Sequence, residues 1–216
     1  MFRSVKRIIK RFLNLYPQWL CKKDFNSQHL IRFNERPVEF AFLFKKLAET
    51  YPQKVLDVGT GTTALPHLIH NCGCVVTATD NVTDYWPSGM LNRHWYVMND
   101  DITRTSLDDT FDFISCISVL EHIHDHEKAV QNMFRLLKQD GHLVLTVPFS
   151  NRDYVRNVFD LQDSSFGRGE PYITQSFSDK DLNKWLQANN GVVVDRECWR
   201  FWEGAYWTTG RQIIPP

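Results

Sequence analysis

The sequence lacks several features that define large classes of proteins. None of its apolar runs approaches the roughly 20 residues that a membrane-spanning helix requires. Its 25 basic and 25 acidic residues leave no net charge, so no overall electrostatic attraction to nucleic acid is expected. The five cysteines follow no zinc or disulfide spacing, since Cys72-Gly-Cys74 is one residue short of a C-x-x-C pair. We therefore expect a reduced, cytoplasmic protein without a signal peptide or a nucleic-acid partner.

Acidic residues are absent from residues 1–23, which carry seven lysines and arginines. Over residues 2–16 apolar side chains recur at helical spacing, and the basic side chains occupy another face. Such a helix could lie on the inner face of an anionic membrane, pack on its own domain or pair with a second subunit. We assign residues 1–35 to a basic, amphipathic helical extension and expect a monomer or a homodimer.

Apolar strands alternate with helical patterns in the rest of the chain. The predicted strands are residues 54–58, 74–80, 94–98, 111–117, 142–147, 192–195 and a last one near 206–213. The helical patterns cover 37–49, 125–138 and a segment that opens at Ser178 and closes near Gly191. This alternation predicts one α/β domain over residues 36–216, with a mostly parallel sheet and helices on both faces.

A glycine turn follows the first predicted strand. The run V-L-D-V-G-T-G-T-T from Val55 to Thr63 places Asp57 two residues before Gly59, and Gly61 two residues after it. Glycines permit a tight turn and a close approach of the backbone to a ligand. The turn alone also fits the relaxed dinucleotide fingerprint, or a purely structural turn. Asp57 argues against a dinucleotide, because a carboxylate there would repel a pyrophosphate.

Acidic residues also follow the next two predicted strands. Asp80 ends the second strand, where a carboxylate suits two hydrogen bonds from the vicinal hydroxyls of a ribose in either class of cofactor. Asp101 and Ile102 follow the third strand, where they could meet an adenine edge.

Together these residues resemble the class I S-adenosylmethionine-dependent methyltransferases. The resemblance rests on the D-x-G-x-G turn, Asp80, the Asp101–Ile102 pair and the S-V-L-E-H-I run of residues 118–123, and it covers residues 37–148 closely. It implies a Rossmann-like fold of seven strands with the last antiparallel, and an active site at the carboxyl ends of the strands. It also implies S-adenosylmethionine as the cofactor and S-adenosylhomocysteine as a product. Thr63 departs from the pattern, since many members have a third glycine there.

The resemblance further implies a role for individual residues. The implied cofactor-binding residues follow the first four strands: Asp57, Gly59, Thr60 and Gly61 at the methionine end, Asp80 and Asn81 at the ribose, Asp101 and Ile102 at the adenine, and Ser118 and Glu121 beside the sulfonium.

Methyl transfer from a sulfonium is an in-line displacement, so alignment matters most and a catalytic residue is optional. If the acceptor is a hydroxyl, His122 is the best-placed general base. A structural, hydrogen-bonding role is its alternative. The sequence His122-Ile-His124-Asp-His126 could also bind a metal ion, but no third ligand is evident and we expect none.

Acceptor binding is expected from the long polar and aromatic segment 149–177. Its candidate substrate-binding residues are Arg152, Tyr154, Tyr172 and Gln175. The aromatic residues within 199–207 could stack on a sugar or complete the core. Arg36 and Glu39 could close over the cofactor or form a surface ion pair.

We therefore expect a methyltransferase that acts on an oxygen of a small-molecule or carbohydrate-like acceptor. N-methylation of a small molecule is the alternative. A nicotinamide-dependent oxidoreductase and a non-catalytic binding protein, recruited to a membrane or partner by the basic helix, are the rivals from other classes. A nucleic-acid methyltransferase is disfavoured, because Ser118-Val-Leu-Glu121 replaces the Asn/Asp-Pro-Pro-aromatic motif of that class.

Overall fold

The structure, a computed structural model, describes residues 2–28, 34–86 and 91–216. These divide into two compact units, Met1–Asn34 and Glu35–Pro216. The predicted extension, residues 1–35, includes positions 1 and 29–33, which lie outside the described residues. Among the helices that are described, none is both long enough and apolar enough to cross a bilayer.

The first unit contains two helices where one was predicted over residues 2–16. Helix α1 spans Phe2–Leu13 and α2 spans Leu15–Asn26. Asn14 lies between them, and its N–H still donates to the carbonyl of Lys10 at 3.1 Å. Pro17 stands in the first turn of α2, where its missing N–H breaks no hydrogen bond of that helix.

The second unit alternates strands with helices. In chain order its elements are α3 (Arg36–Thr50), β1 (Lys54–Val58), α4 (Leu65–Asn71), β2 (Val75–Asp80), α5 (Val82–Tyr85), β3 (Met98–Asn99), β4 (Phe111–Ile117), α6 (His126–Leu136), β5 (Leu137–Thr146) and α7 (Asp179–Asn189). Short 3-10 turns cover Ile102–Arg104, Leu120–His122 and Val158–Asp160.

The five strands form one parallel sheet in the order β3-β2-β1-β4-β5. The chain order reverses beside β1, which pairs with β2 on one side and with β4 on the other. In open α/β sheets a ligand binds outside the carboxyl ends of the strands at such a reversal. The topology therefore predicts a ligand site at the segments that follow β1, β2 and β4.

Helices cover both faces of the sheet, as predicted. Side chains alternate along β1, so that Val55 packs with Leu43 and Leu47 of α3 on one face. Leu56 and Val58 pack on the other face, in the cluster that includes the buried side of α6 and Trp185 of α7. The two apolar layers fix the positions of the strand ends between them.

The prediction of seven strands with an antiparallel last strand is corrected to five strands in the described part of the chain. Residues 192–195 form no ladder there, and the side chains of Val192 and Val194 are 79% and 72% exposed. A β-branched run becomes a strand only where a neighbouring strand pairs with it. Residues 206–213 also form no strand; they take part in two isolated antiparallel bridges, Ser164–Thr209 and Trp202–Gln212. The third predicted strand is reduced to Met98–Asn99.

Candidate active site

Two glycines with left-handed backbone build the turn after β1. Gly59 has a φ of +73° and Gly61 a φ of +56°. A Cβ added at Gly59 would lie 2.3 Å from Cγ1 of Val119, whereas one at Gly61 would meet no atom within 4 Å. Gly59 is therefore required by the packing of the turn against the segment after β4. Gly61 borders open space, where a ligand can approach the backbone.

Asp57 holds this turn from inside. It is 1% exposed at the carboxyl end of β1. The hydroxyl of Ser115 donates to its Oδ1 at 2.6 Å, and the hydroxyl of Thr60 donates to its Oδ2. Burial raises the pKa of Asp57 to about 6, although the two hydrogen bonds oppose that effect. Asp57 and Thr60 thus tie the turn to β4.

Asp80 meets the glycine turn from the neighbouring strand. Its Oδ2 accepts a hydrogen bond from the N–H of Gly61 at 2.7 Å. Burial raises the pKa of Asp80, while hydrogen bonds from Gly61, the Trp86 side chain and the N–H of Asn81 lower it. Asn81 follows directly and is half-buried. The turn and the carboxylate that the sequence placed on separate strands are therefore in contact.

A buried asparagine that the sequence analysis missed supports the other side of the turn. Asn92 donates through Nδ2 to the carbonyls of Gly61 and Thr63, at 2.9 Å each. Its Oδ1 accepts from the backbone N–H groups of His94 and Trp95. No motif marks Asn92, because the turn residues Gly61 and Thr63 lie 31 and 29 residues away in the chain.

Asp101 and Ile102 lie beside the end of β2, since the N–H of Asp100 donates to the carbonyl of Asp80 at 2.9 Å. Oδ1 of Asp101 accepts from the N–H and hydroxyl of Thr103 at 2.9 and 2.8 Å. Its Oδ2 lies 3.1 Å from Nε of Arg104. The side chain of Ile102 is buried in the core. Both residues thus have structural partners at the edge where an adenine was expected.

A buried carboxylate from α3 reaches the ends of β4 and β5. Oε1 of Glu39 accepts from the hydroxyls of Ser118 and Thr146 at 2.6 and 2.7 Å. Its Oε2 lies 2.7 Å from Nη1 of Arg36. Glu39 is 8% exposed, so the alternative of a surface ion pair does not describe it. Ser118 has a φ of +50°, and its backbone is held by a 2.9 Å hydrogen bond from its N–H to Oγ1 of Thr146.

Glu121 is buried beside this group of polar side chains. It is 4% exposed, and its Oε2 has no hydrogen-bond partner among the described residues. The pKa of Glu121 is raised to about 8, chiefly by burial and also by the charge of Glu39, against the opposing effects of its own N–H and of Arg36. Glu121 is therefore mostly a neutral carboxylic acid at pH 7.

His122 is oriented by the loop that follows β5. Its Nδ1 lies 2.7 Å from the carbonyl of Ile173, and a carbonyl only accepts, so the proton of the neutral ring is on Nδ1. Nε2 keeps its lone pair and lies 3.9 Å from Oε1 of Glu121. Burial lowers the pKa of His122, against the hydrogen bond to Ile173. The ring of Tyr172 packs edge-on against it with centroids 5.0 Å apart.

Gln175 joins the same loop to the segment after β4. It is 1% exposed, and its Nε2 donates to the carbonyl of Ile123 at 2.8 Å and to that of Glu121 at 3.2 Å. Its Oε1 accepts from the hydroxyl of Tyr154 at 2.5 Å and lies 3.0 Å from Nδ1 of His126. The amide of Gln175 thus has partners within the protein itself, which gives it a structural part; its role in binding the acceptor stays a prediction.

The other three candidates for acceptor binding differ in their exposure and partners. Tyr172 is half-buried against His122, and Tyr154 is hydrogen-bonded to Gln175, whereas Arg152 is exposed. Among the described residues no group of three or more His, Cys, Asp or Glu side chains is placed to hold a metal ion. Nδ1 of His122 is already directed at a backbone carbonyl.

Comparisons with known proteins agree with this architecture. Residues 27–195 match the family model of a methyltransferase domain. A ubiquinone biosynthesis O-methyltransferase of Glaesserella parasuis is 30% identical over 139 residues, which are 59% of this chain and 57% of that protein. The chain thus spans little more than half the length of that curated relative.

Two solved structures are similar in fold. A 1,6-didemethyltoxoflavin-N1-methyltransferase of Burkholderia thailandensis, with S-adenosylhomocysteine bound, has a TM-score of 0.52 and 19% identity and covers 91% of this chain and 81% of its own. An O-methyltransferase of a trans-AT PKS multienzyme of Brevibacillus brevis, also with S-adenosyl-L-homocysteine, has a TM-score of 0.50 and 18% identity and covers 68% and 49%. Because the family model matches most of the chain, and the parallel sheet has the Rossmann-like arrangement expected of it, the chain belongs to the methyltransferase-domain family.

Proposed function

We propose that the protein binds S-adenosylmethionine and transfers its methyl group to a hydroxyl oxygen of a small-molecule or carbohydrate-like acceptor, with S-adenosylhomocysteine as the second product. The observation that carries the proposal is the contact between the glycine turn and the neighbouring strand. The N–H of Gly61 lies 2.7 Å from Oδ2 of Asp80, at the point where the strand order reverses. The glycine turn is suited to bind the amino-acid end of the cofactor, and the carboxylate of Asp80 is suited to bind its ribose.

The residues fit this cofactor on independent grounds. Gly61 leaves open space beside the backbone, which a Cβ would enter. The carboxylate of Asp80 can accept from both hydroxyls of a ribose in addition to Gly61. Asp57 and Glu39 are not proposed to touch the cofactor. Asp57 holds the glycine turn in place, and Glu39 holds Ser118. The cofactor supplies an activated methyl group, and these residues orient it.

His122 is the proposed general base. Its hydrogen bond to Ile173 fixes the tautomer with the lone pair on Nε2, and the lowered pKa keeps the ring uncharged near neutral pH. As the acceptor oxygen forms its bond to the methyl carbon, the bond from that carbon to sulfur breaks. The hydroxyl proton passes to Nε2 of His122. Tyr172, Tyr154 and Arg152 are proposed to line the acceptor side of the same region.

The choice of oxygen as the acceptor atom is supported by two relatives that are named ubiquinone biosynthesis O-methyltransferases. A panel of matched acceptors tests it: phenols and sugars, each paired with the corresponding amine, incubated with isotopically labelled S-adenosylmethionine and analysed by mass spectrometry. Methylated hydroxyls support the proposal. Methylation of the amines alone overturns the assignment to oxygen, and cofactor binding without any transfer favours a non-catalytic binding protein.

A pair of histidine variants tests the base. Replacing His122→Gln is expected to lower kcat on a hydroxyl acceptor by about 10²- to 10⁴-fold while leaving the affinity for S-adenosylhomocysteine unchanged. The matched control is His124→Gln, because His124 is exposed two residues away. Equal rates for the two variants would exclude His122 as the base.

A further inference from the structure

The described side chains of the N-terminal unit form no apolar core. Helix α2 contains no buried residue, and the side chains described in α1 are exposed. The large apolar side chains of this unit that are more than half exposed are Ile9, Phe12, Leu13, Leu15, Tyr16, Trp19 and Phe25. Exposed apolar side chains in this number indicate an interaction site in a stable protein.

Apolar and basic side chains lie on different sides of α1. Residues three and four apart share one side of a helix, so Ile9, Phe12 and Leu13 lie together. Arg11 lies on the opposite side, and Lys10 lies at the border of the apolar side, three residues before Leu13. The helix thus presents an apolar face and a basic face to its surroundings, over its described side chains.

The charge of the unit favours a particular kind of partner. Residues 2–28 carry seven lysines and arginines against one acidic residue, Asp24. A bilayer with anionic headgroups offers an apolar phase and a negative surface in the same plane, and it requires no matching shape. Tyr16 and Trp19 follow α1 directly and have the amphipathic rings that concentrate at that boundary.

We infer that α1 docks the protein on the surface of an anionic membrane. Its axis lies in the plane of the interface, its apolar face enters the acyl region and its lysines and arginines contact the headgroups. The inference does not depend on the proposed methyl transfer, since it rests on residues of a different unit. It would bring the enzyme to acceptors that are dissolved in, or carried on, the membrane.

Sedimentation with vesicles, in the absence of any cofactor, tests the inference. The full chain is mixed with vesicles of phosphatidylcholine alone or of phosphatidylcholine with phosphatidylglycerol, at low and high salt. We expect binding to the mixed vesicles that is at least tenfold tighter than to neutral ones, and that weakens as salt screens the charges.

Variants locate the surface. Lys10→Gln and Arg11→Gln are each expected to weaken binding to the mixed vesicles about fivefold, and Phe12→Ser is expected to weaken it on both kinds of vesicle. Val193→Ser is the matched control, because Val193 is 58% exposed in the other unit. Circular dichroism melting confirms that each variant is folded.

Two outcomes overturn the inference. One is absence of binding, or equal binding to neutral and anionic vesicles. The other is a dimer in analytical ultracentrifugation that Phe12→Ser dissociates while vesicle binding is absent, since the apolar face would then be covered by a second copy of the chain.

Discussion

The buried carboxyl group of Glu121 makes the stability of the protein depend on pH. The folded-state pKa of about 8 lies well above the ordinary value of 4.5, chiefly because the group is buried. A raised pKa means that the folded state binds the proton more tightly than the unfolded chain. The stability that Glu121 contributes is therefore fully present below about pH 4.5 and is lost as the pH rises towards and through 8.

The magnitude follows from the same two values. Each pH unit over which only the folded state holds the proton changes the free energy of unfolding by about 1.4 kcal/mol. Between pH 6 and pH 9 the loss attributable to Glu121 is then about 3 kcal/mol. Glu121→Gln has a neutral side chain of the same shape and does not titrate, so this loss should be absent from the variant.

The assay is urea unfolding followed by tryptophan fluorescence at several pH values from 6 to 9. The difference in unfolding free energy between Glu121→Gln and the wild-type chain is expected to grow by about 2 to 3 kcal/mol in favour of the variant over this range. Glu170→Gln is the control, because Glu170 is exposed. A difference that stays constant with pH would refute the assignment of a neutral, buried Glu121.

Further substitutions at four positions separate structural from ligand-binding roles. Gly59→Ala is expected to lower the unfolding free energy by about 1 to 3 kcal/mol, because its Cβ would overlap Val119. Gly61→Ala should stay folded and weaken the binding of S-adenosylhomocysteine in calorimetry. A destabilised Gly61→Ala beside a stable Gly59→Ala with weakened binding would contradict the packing of the turn. Glu39→Ala is expected to weaken cofactor binding about tenfold by releasing Ser118, with partial recovery in Glu39→Gln; unchanged affinity would exclude a positioning role. Gln175→Leu should lower the unfolding free energy by about 1 to 3 kcal/mol because buried carbonyls lose their donor, and a stable variant would contradict that structural part.

Much of the fold could be predicted from periodicity. Strands β1, β2 and β4 and helices α3, α6 and α7 lie within a few residues of the predicted bounds, since each has a regular apolar pattern and a recognisable end. At Asp140-Gly141 the sequence favours a turn that ends a helix, and Asp140 does have a left-handed φ of +59°, although both residues fall within the bounds of β5. Leu137 pairs with Phe111 of β4 before the turn and His142 pairs with Phe113 after it, so the register shifts between the two pairs; the pairing of Leu137 has no local signal.

The candidate site was predictable where the chemistry lies in short motifs. The glycine turn and Asp80 could be paired because parallel strands end at one edge of a sheet. The position of Glu39 could not, because its partners Ser118 and Thr146 lie 79 and 107 residues away in the chain. The buried partners of Gln175 could not be predicted for the same reason, because a polar residue in a loop is usually exposed and only the folded chain brings those partners to it.

The measurement that tests the central claim most directly is calorimetric titration of S-adenosylmethionine and S-adenosylhomocysteine into the wild-type chain and into Asp80→Ala. We expect saturable binding that the substitution weakens about 10- to 100-fold, since hydrogen bonds to a charged group are lost. Asp108→Ala should bind like the wild type, because Asp108 is exposed on the way to β4. A wild-type chain that is folded by circular dichroism and binds neither compound would contradict the assignment of the cofactor, and with it the proposed methyl transfer.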